Sequence, residues 1–119
     1  MAGAFYDYTA KIPMIWTGWN NGSHLRTGAG YGLKILPSDR DRYFQRSWKS
    51  LTVILPDGNQ PVRIEVSVTP SFWRKCSELR SGDIGRWLIR NGHQEWPKGR
   101  PPIFTVERIE DRAFQISDR

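Results

Sequence analysis

Glycine and proline interrupt this chain at short intervals, with 11 glycines and 8 prolines among its 119 residues. Between these breaks, no segment keeps the 3.6-residue apolar period of a long amphipathic helix. Several short segments instead alternate apolar and polar residues, as half-buried strands do. The pattern therefore predicts a β-rich, mixed α+β fold built from short strands and two or three short helices.

Six or seven short strands are expected, with the clearest at residues 12–16, 31–36, 48–55, 62–68, 103–109 and 113–116. The turn at Asp57-Gly58 predicts a hairpin, because this dipeptide favours the tight turns that join antiparallel strands. Helices are predicted from residue 37 to about 44 with Ser38 as N-cap, from Thr69-Pro70 to about residue 79, and from Ser81 to Asn91. The strands are short and numerous, and the segments between them are too short for the crossovers that join parallel strands, so we predict an open β-barrel or pseudobarrel. It forms one domain over residues 1–119.

The chain carries 18 lysines and arginines against 12 aspartates and glutamates, which gives a net charge of +6. A positive surface attracts polyanions, because binding them releases condensed counterions. Most of these cations are arginines, whose planar guanidinium suits phosphates and guanine edges. The composition favours a nucleic-acid partner without identifying one. Four of the six tryptophans lie in periodic apolar elements and are expected in the core: Trp16, Trp48, Trp73 and Trp87.

Several classes of protein are excluded by simple patterns. The apolar runs fall far short of the ~20 residues of a membrane span, so we expect no membrane partner. The N-terminal segment lacks the basic start and apolar core of a secretory signal. Cys76 is the only cysteine, which rules out an internal disulfide and a multi-cysteine zinc site and agrees with a cytoplasmic location. We expect Cys76 to be a small core residue within a helix.

Nothing in the sequence assembles a common catalytic or metal-binding pattern. His24 and His93 both lie in predicted loops, and neither belongs to an H-x-x-x-H pair or a His–Cys cluster. Asp39 and Asp41 are two residues apart near a helix start, so their carboxylates point in different directions. We therefore expect no catalytic residue, no metal and no cofactor. A small RNA-cleaving nuclease that uses His24 or His93 as a base is the alternative.

A long polar loop is predicted between the first two strands, at residues 17–30. Loops of this length without regular structure are uncommon in compact domains and often bind ligands. Its side chains include groups that read base edges: Asn for adenine, Arg for guanine, and Ser or Thr for either. The candidate contacts in this loop are Trp19, Asn20, Asn21, Ser23, His24, Arg26 and Thr27.

A second group of basic residues occupies the C-terminal half. Arg86 and Arg90 share one face of a predicted helix, and Trp96 lies beyond them in a proline-rich loop. An exposed tryptophan beside cations is typical of a contact surface. If Trp19 and Trp96 are both exposed, a protein-interaction module anchored by tryptophans is a further alternative. The basic residues of this group are Arg74, Lys75, Arg80, Arg86, Arg90, Lys98 and Arg100.

Two glycine-rich segments carry a resemblance to a known family. Residues 27–37 read TGAGYGLKILP, and residues 96–101 read WPKGRP. The first is similar to a T-G-A stretch that leads through G-L into a strand ending near a proline and a short helix. The second is similar to a W-x-R-G-x-P stretch. Both stretches, and the order of elements between them, resemble the N-terminal effector-binding domain of EcoRII-type restriction endonucleases.

This resemblance implies a pseudobarrel that grips duplex DNA in the major groove with two projecting arms. The chain departs from the family in having no appended nuclease domain, so we expect either a reader without a cutter or a fragment of a longer protein. The loop up to Thr27 is one arm, and residues 80–100 supply the other. Double-stranded DNA is then the expected partner, with RNA as the second candidate, and the oligomeric state is not predicted. Together with the charge pattern, it gives these DNA contacts: Trp19, Asn20, Asn21, Ser23, His24, Arg26, Thr27, Tyr31, Lys34, Arg80, Arg86, Arg90, Trp96, Lys98 and Arg100.

Overall fold

The computed structural model describes residues 12–74 and 77–117, which form a curled half-barrel sheet with three helices. Seven strands make up the sheet: β1 (Ile12–Asn20), β2 (Tyr31–Ile35), β3 (Ser50–Asp57), β4 (Gln60–Ser67), β5 (Glu78–Arg80), β6 (Ile103–Glu110) and β7 (Ala113–Ile116). The helices described are α1 (Pro37–Tyr43), α2 (Pro70–Arg74) and α3 (Gly82–Arg90). The predicted β-rich, barrel-like class is confirmed.

The strands follow the order β4-β3-β7-β6-β1-β2-β5. Every neighbouring pair is antiparallel except β3 and β7, which run parallel. β7 therefore joins the β3–β4 hairpin to the rest of the sheet. The two edge strands, β4 and β5, contact each other without pairing. The sheet thus curls far enough to enclose a core but does not close into a full barrel.

Alternating strand directions divide the connections between two ends of the half-barrel. The upper end, where β1 finishes, carries residues 21–30, α3 and residues 91–102. The lower end, where β2 finishes, carries α1, residues 44–49 and α2. The two segments that the sequence predicts as arms therefore emerge at the same end of the sheet.

Aromatic rings fill the lower part of the core. The rings of Phe44 and Phe114 stack with centroids 4.7 Å apart and planes within 9°. Trp16 lies 5.4 Å from Phe114, and Phe72 lies 5.6 Å from Phe44, both in tilted arrangements. Such pairs contribute about 0.5–1.5 kcal/mol each beyond the burial of their surface. This cluster fixes α1 and α2 against the sheet.

The tryptophans expected in the core behave as predicted with one exception. Trp16, Trp48 and Trp87 are at most 8% exposed. Trp73 is only half-buried, because it lies at the lower end and packs against the core with one part of its ring system.

Helix α3 begins and ends where the sequence predicts. The Ser81 side chain accepts hydrogen bonds from the backbone N–H groups of Asp83 at 3.1 Å and Ile84 at 3.4 Å, which caps the helix. Asn91 is the C-cap, and Gly92 follows with a φ of +84° that favours glycine. No helix in the described part of the chain has the length and apolar character that crossing a membrane requires.

The start of α1 differs from the prediction. Ser38 is not the N-cap: Leu36 takes that position without a side-chain hydrogen bond, and Pro37 opens the first turn. Proline fits there because its fixed φ is helical and the missing N–H has no partner in a first turn. The prediction of Ser38 as cap is therefore wrong.

The helix predicted from residue 69 to about 79 is also wrong in its length. Its described part spans Pro70–Arg74, and residues 78–80 form β5 instead. The Ile35 N–H donates to the Ser77 carbonyl at 2.8 Å, and β5 continues this pairing along the open edge of β2. Sheet pairing therefore overrides the local helical pattern. Lys75 and Cys76 lie outside the described residues, so the expectation of a core Cys76 is not addressed.

Strand β1 is longer than predicted. It continues past Trp16 to Asn20, because residues 16–20 pair with β2 and the Gly18 N–H donates to the Pro102 carbonyl at 2.9 Å. The polar loop therefore shortens to residues 21–30.

We expect Gly85→Ala to destabilise the fold, although alanine normally favours a helix over glycine by about 1 kcal/mol. A Cβ at Gly85 would lie 2.2 Å from the Gly28 carbonyl oxygen, which is backbone and cannot swing aside. The free energy of unfolding, measured by urea denaturation, should fall by about 1–3 kcal/mol.

Gly82→Ala is the matched control in the same helix. Its Cβ would meet only the end of the Arg86 side chain at 3.3 Å and the Thr27 carbonyl at 3.7 Å. Its free energy of unfolding should be unchanged or slightly higher. If both variants lost the same free energy of unfolding, the close approach of Gly28 to Gly85 would not be the cause of the destabilisation.

Candidate nucleic-acid interface

Residues 21–30 form a loop that is ordered by its own hydrogen bonds. The Asn21 N–H donates to the Gly30 carbonyl at 2.8 Å and closes the base of the loop. Asn20 Oδ1 accepts from the Gly22 N–H at 2.8 Å, and Asn21 Oδ1 accepts from the Ser23 N–H at 3.0 Å and hydroxyl at 2.7 Å. Both asparagines therefore use the oxygen that a bidentate contact with adenine would need. Their main role in the described structure is to shape the loop.

Helix α3 and the segment after it hold this loop in place. Arg86 Nη1 donates to the Thr27 carbonyl at 2.8 Å, and Gln94 Nε2 donates to the His24 carbonyl at 3.4 Å. Gly28 has a φ of +87° and lies so close to α3 that a Cβ there would meet the Gly82 carbonyl oxygen at 2.2 Å. The two segments predicted as separate arms are thus packed side by side at the upper end.

Residues 91–102 end in a tight turn that exposes two cations. The Arg100 N–H donates to the Pro97 carbonyl at 2.9 Å, and Gly99 has the φ of +80° that a type II turn requires at its third position. Lys98 and Arg100 flank this glycine and are exposed.

Trp96 anchors that turn to the core and does not stand free on the surface. Its ring lies 6.5 Å from the Tyr31 ring in an edge-on arrangement and packs against the hydrophobic core. A Cβ at Gly18 would come within 3.3 Å of its indole, so β1 approaches Trp96 closely. Trp96 is half-buried and supports the turn from below.

Trp19 lies on the outer face of the sheet beneath the upper end. Trp19, Gly32 and Arg80 are aligned across β1, β2 and β5. Because Gly32 has no side chain, Arg80 reaches over it, and its guanidinium lies 4.6 Å from the centre of the Trp19 ring. This contact occupies one face of the indole. Lys34 is exposed on the same outer face and is aligned with Glu78, farther from the upper end.

Three of the predicted arginine contacts are already paired within the molecule. Arg80 lies 3.1 Å from Glu78, Arg90 lies 3.2 Å from Asp57, and Arg86 pairs with Asp83 one helical turn before it. Each arginine side chain is about half exposed, and so are the carboxylates of Asp57 and Asp83, so the ion pairs of Arg86 and Arg90 contribute little to stability. They do reduce the net positive charge that these residues offer to a phosphate.

The loop tips carry the unpaired positive charge of the upper end. Arg26, Lys98 and Arg100 are exposed, and none of them has an ion pair within residues 12–74 and 77–117. Arg74, which belongs to the second basic group of the sequence but not to the predicted arm at residues 80–100, lies at the lower end. The structure also brings Arg46 and Lys49 together there, and neither has an ion pair in the described part of the chain; the sequence patterns do not indicate this pair.

The two histidines show no catalytic arrangement in the described residues. The His93 ring packs edge-on against Phe104 at 5.8 Å, and His24 has a φ of +54°, unusual for a residue other than glycine. No described hydrogen bond or ion pair involves either imidazole. Among the described residues, no three His, Cys, Asp or Glu side chains gather closely enough to hold a metal ion.

Tyr31 links the sheet to the turn segment and gives the upper end a pH dependence. Its hydroxyl donates to the Gln94 carbonyl at 2.5 Å. Burial raises the pKa of Tyr31 above its ordinary value of 10.0, and the negative charge of Glu95 adds to this. The folded state therefore favours the neutral phenol, so its contribution to stability is complete below pH 10 and is lost as the pH rises through the folded-state pKa.

We expect the free energy of unfolding to fall above pH 10 more steeply in the wild type than in Tyr31→Phe, which cannot ionise there. Urea denaturation between about pH 8 and pH 11 measures this difference. Parallel curves for the two proteins would mean that Tyr31 ionises equally easily in the folded and unfolded states.

Comparison with known proteins adds no relative to this description: no family model, curated protein or solved structure matches the chain.

Proposed function

We propose that the chain is a duplex DNA-binding module that uses the upper end of its half-barrel and has no catalytic site of its own. The observation that carries the proposal is the exposure, on two adjacent loops, of cations that form no ion pair with any other described residue: Arg26, Lys98 and Arg100. The resemblance of residues 27–37 and 96–101 to the EcoRII-type recognition domain supports it. A cytoplasmic location and a role beside restriction–modification enzymes belong to the same proposal.

Unpaired cations are the groups best suited to phosphate contacts. Within residues 12–74 and 77–117, no ion pair has to be broken before Arg26 or Arg100 neutralises a phosphate, whereas Arg90 would have to leave Asp57. Each new phosphate contact releases condensed counterions and makes binding salt-dependent. The three loop-tip cations therefore make the first contacts with the duplex.

The order of both loops favours binding, because a loop that is fixed before association loses less entropy on association. Arg86 contributes in this way: it holds the Thr27 carbonyl and so keeps Arg26 on a fixed segment. Trp96 acts similarly beneath Lys98 and Arg100. In this proposal Arg86 and Trp96 are positioning residues, and the loop tips are the contacts.

Arg100→Ala should weaken duplex binding and flatten its salt dependence. A wild-type interface with about six phosphates gives a slope of log affinity against log salt near −5, and removing one contact reduces it by about 0.9. Fluorescence anisotropy with a pool of random duplexes over a salt series measures both quantities.

Arg42→Ala is the charge-matched control for this experiment. Arg42 is exposed on α1 at the lower end, where its guanidinium lies 5.6 Å from the Tyr43 ring. Its loss should leave the slope unchanged. Equal effects of the two substitutions, or a wild-type slope of zero, would contradict the proposed interface.

Arg26→Ala should relax sequence preference, whereas Lys98→Ala should weaken all duplexes alike. A guanidinium can form two hydrogen bonds with guanine, and loss of such a contact costs ~1–3 kcal/mol on the preferred sequence. An ammonium group that contacts phosphate reads no base. The affinity of each variant for duplexes selected from a random pool is compared with its affinity for scrambled versions of them, which separates lost sequence preference from a uniform loss of affinity. If Arg26→Ala lowers both affinities equally, Arg26 contacts phosphate only.

A further inference from the structure

The lower end of the half-barrel holds an open pocket of about 540 Å³. It lies where the chain enters β3 and leaves β4, between residues 46–49 and the start of α2. A pocket of this volume falls in the range of ~300–1,000 Å³ that small-molecule sites occupy. Antiparallel strands separate it from the upper end, so it is a different surface from the proposed DNA interface.

The charge of this pocket has one sign. Arg46, Lys49 and Arg74 line it, and no aspartate or glutamate is among its described lining residues. None of the three cations has an ion pair within residues 12–74 and 77–117. Three cations that converge on one concavity repel each other, and a bound anion would remove that repulsion.

The geometry of the pocket is fixed by the packing behind it. The Arg46 guanidinium lies 4.7 Å from the centre of the Trp73 ring, which orients it by a cation–π contact. Arg40 contacts the same ring at 5.5 Å and is only 8% exposed. Its Nη1 donates to the Phe72 carbonyl at 2.8 Å and so ties α1 to α2. The pocket wall is therefore set before any ligand arrives.

Hydroxyl groups complete the lining. Ser47 and Thr69 both face the pocket, and hydroxyls donate hydrogen bonds to phosphate oxygens as readily as they accept them. Cations and hydroxyl donors without carboxylates suit a phosphate and disfavour a cation or a neutral sugar.

We propose that this pocket binds a small phosphorylated anion with linked phosphates, such as the diphosphate group of a nucleotide. A single phosphate ester carries a charge of about −1.5 to −2 at neutral pH, which leaves part of the three positive charges uncompensated. A diphosphate comes closer to neutralising Arg46, Lys49 and Arg74. The proposal is independent of DNA binding at the upper end.

Calorimetric titration of the wild-type protein with pyrophosphate, ADP and adenosine tests this site. Pyrophosphate and ADP are expected to bind, and adenosine is not, because the phosphates supply the recognised charge. Binding of pyrophosphate without ADP would also support the site and would identify free polyphosphate as its ligand. Adenosine binding as tightly as ADP, or no binding of either phosphate compound at millimolar concentration, would overturn the proposal.

The double variant Arg46→Gln with Lys49→Gln locates the site. Its dissociation constant for pyrophosphate should rise at least about tenfold. Both side chains are exposed, so its free energy of unfolding should fall only by the small contribution of the contact between Arg46 and Trp73. Arg100→Ala is the control at the upper end and should leave pyrophosphate binding unchanged. An unchanged constant in the double variant would overturn the assignment of the pocket.

A competition experiment separates this pocket from the proposed DNA interface. Duplex DNA should not displace pyrophosphate, since the two ligands bind opposite ends of the half-barrel. Displacement of pyrophosphate from the wild-type protein by duplex DNA would mean that Arg46 and Lys49 belong to a DNA-binding surface, and the small-ligand proposal would fail. The outcome does not depend on whether the upper end binds DNA.

Discussion

Helix α3 bridges the opening of an incomplete barrel, and both predicted arms depend on its position. The Trp87 indole N–H donates to the Pro56 carbonyl at 2.6 Å, which fixes the helix to the β3–β4 hairpin at one side of the sheet. At the other side, α3 follows directly from β5 and presses against Gly28. One short helix thus connects the two edges of the sheet and sets the conformation of residues 21–30. The contacts of α3 with the hairpin and with Gly28 therefore add to the hydrogen bonds within the loop in fixing the upper end.

Arginines have different roles at the two ends of the molecule. At the upper end, Arg80, Arg86 and Arg90 are paired with carboxylates, and the loop tips supply the remaining positive charge. At the lower end, Arg46 and Arg74 face a pocket without described acidic residues. Cations without an ion pair within residues 12–74 and 77–117 therefore occur on two surfaces of different shape. A projecting surface suits an extended polyanion, and a concave one suits a small anion.

Local sequence patterns predict the elements that depend on local chemistry. Ser81 and Asn91-Gly92 define α3, and Gly58, with a φ of +67°, forms the hairpin turn between Asp57 and Gln60, because caps and turns need particular residues at fixed places. β5 was missed, since a three-residue strand exists only because β2 offers it an edge. The lower pocket also depends on tertiary contacts, so local sequence patterns do not predict it. Arg46, Lys49 and Arg74 come from segments that meet only after α1 and α2 have packed. The sequence also predicts the polar loop, but its composition does not show that the asparagine side chains form hydrogen bonds within the loop.

The central location of β7 has a consequence for assembly during synthesis. This four-residue strand, the last one described along the chain, lies between β3 and β6 and is the sole sheet connection between the hairpin and the other described strands. Until residues 113–116 pair with their neighbours, β3 and β6 each present an unpaired edge. A nascent chain at that stage presents the type of surface that chaperones protect. Completion of the sheet therefore depends on a strand of only four residues. The pairing of this strand with β3 joins parts of the chain that lie far apart in the sequence.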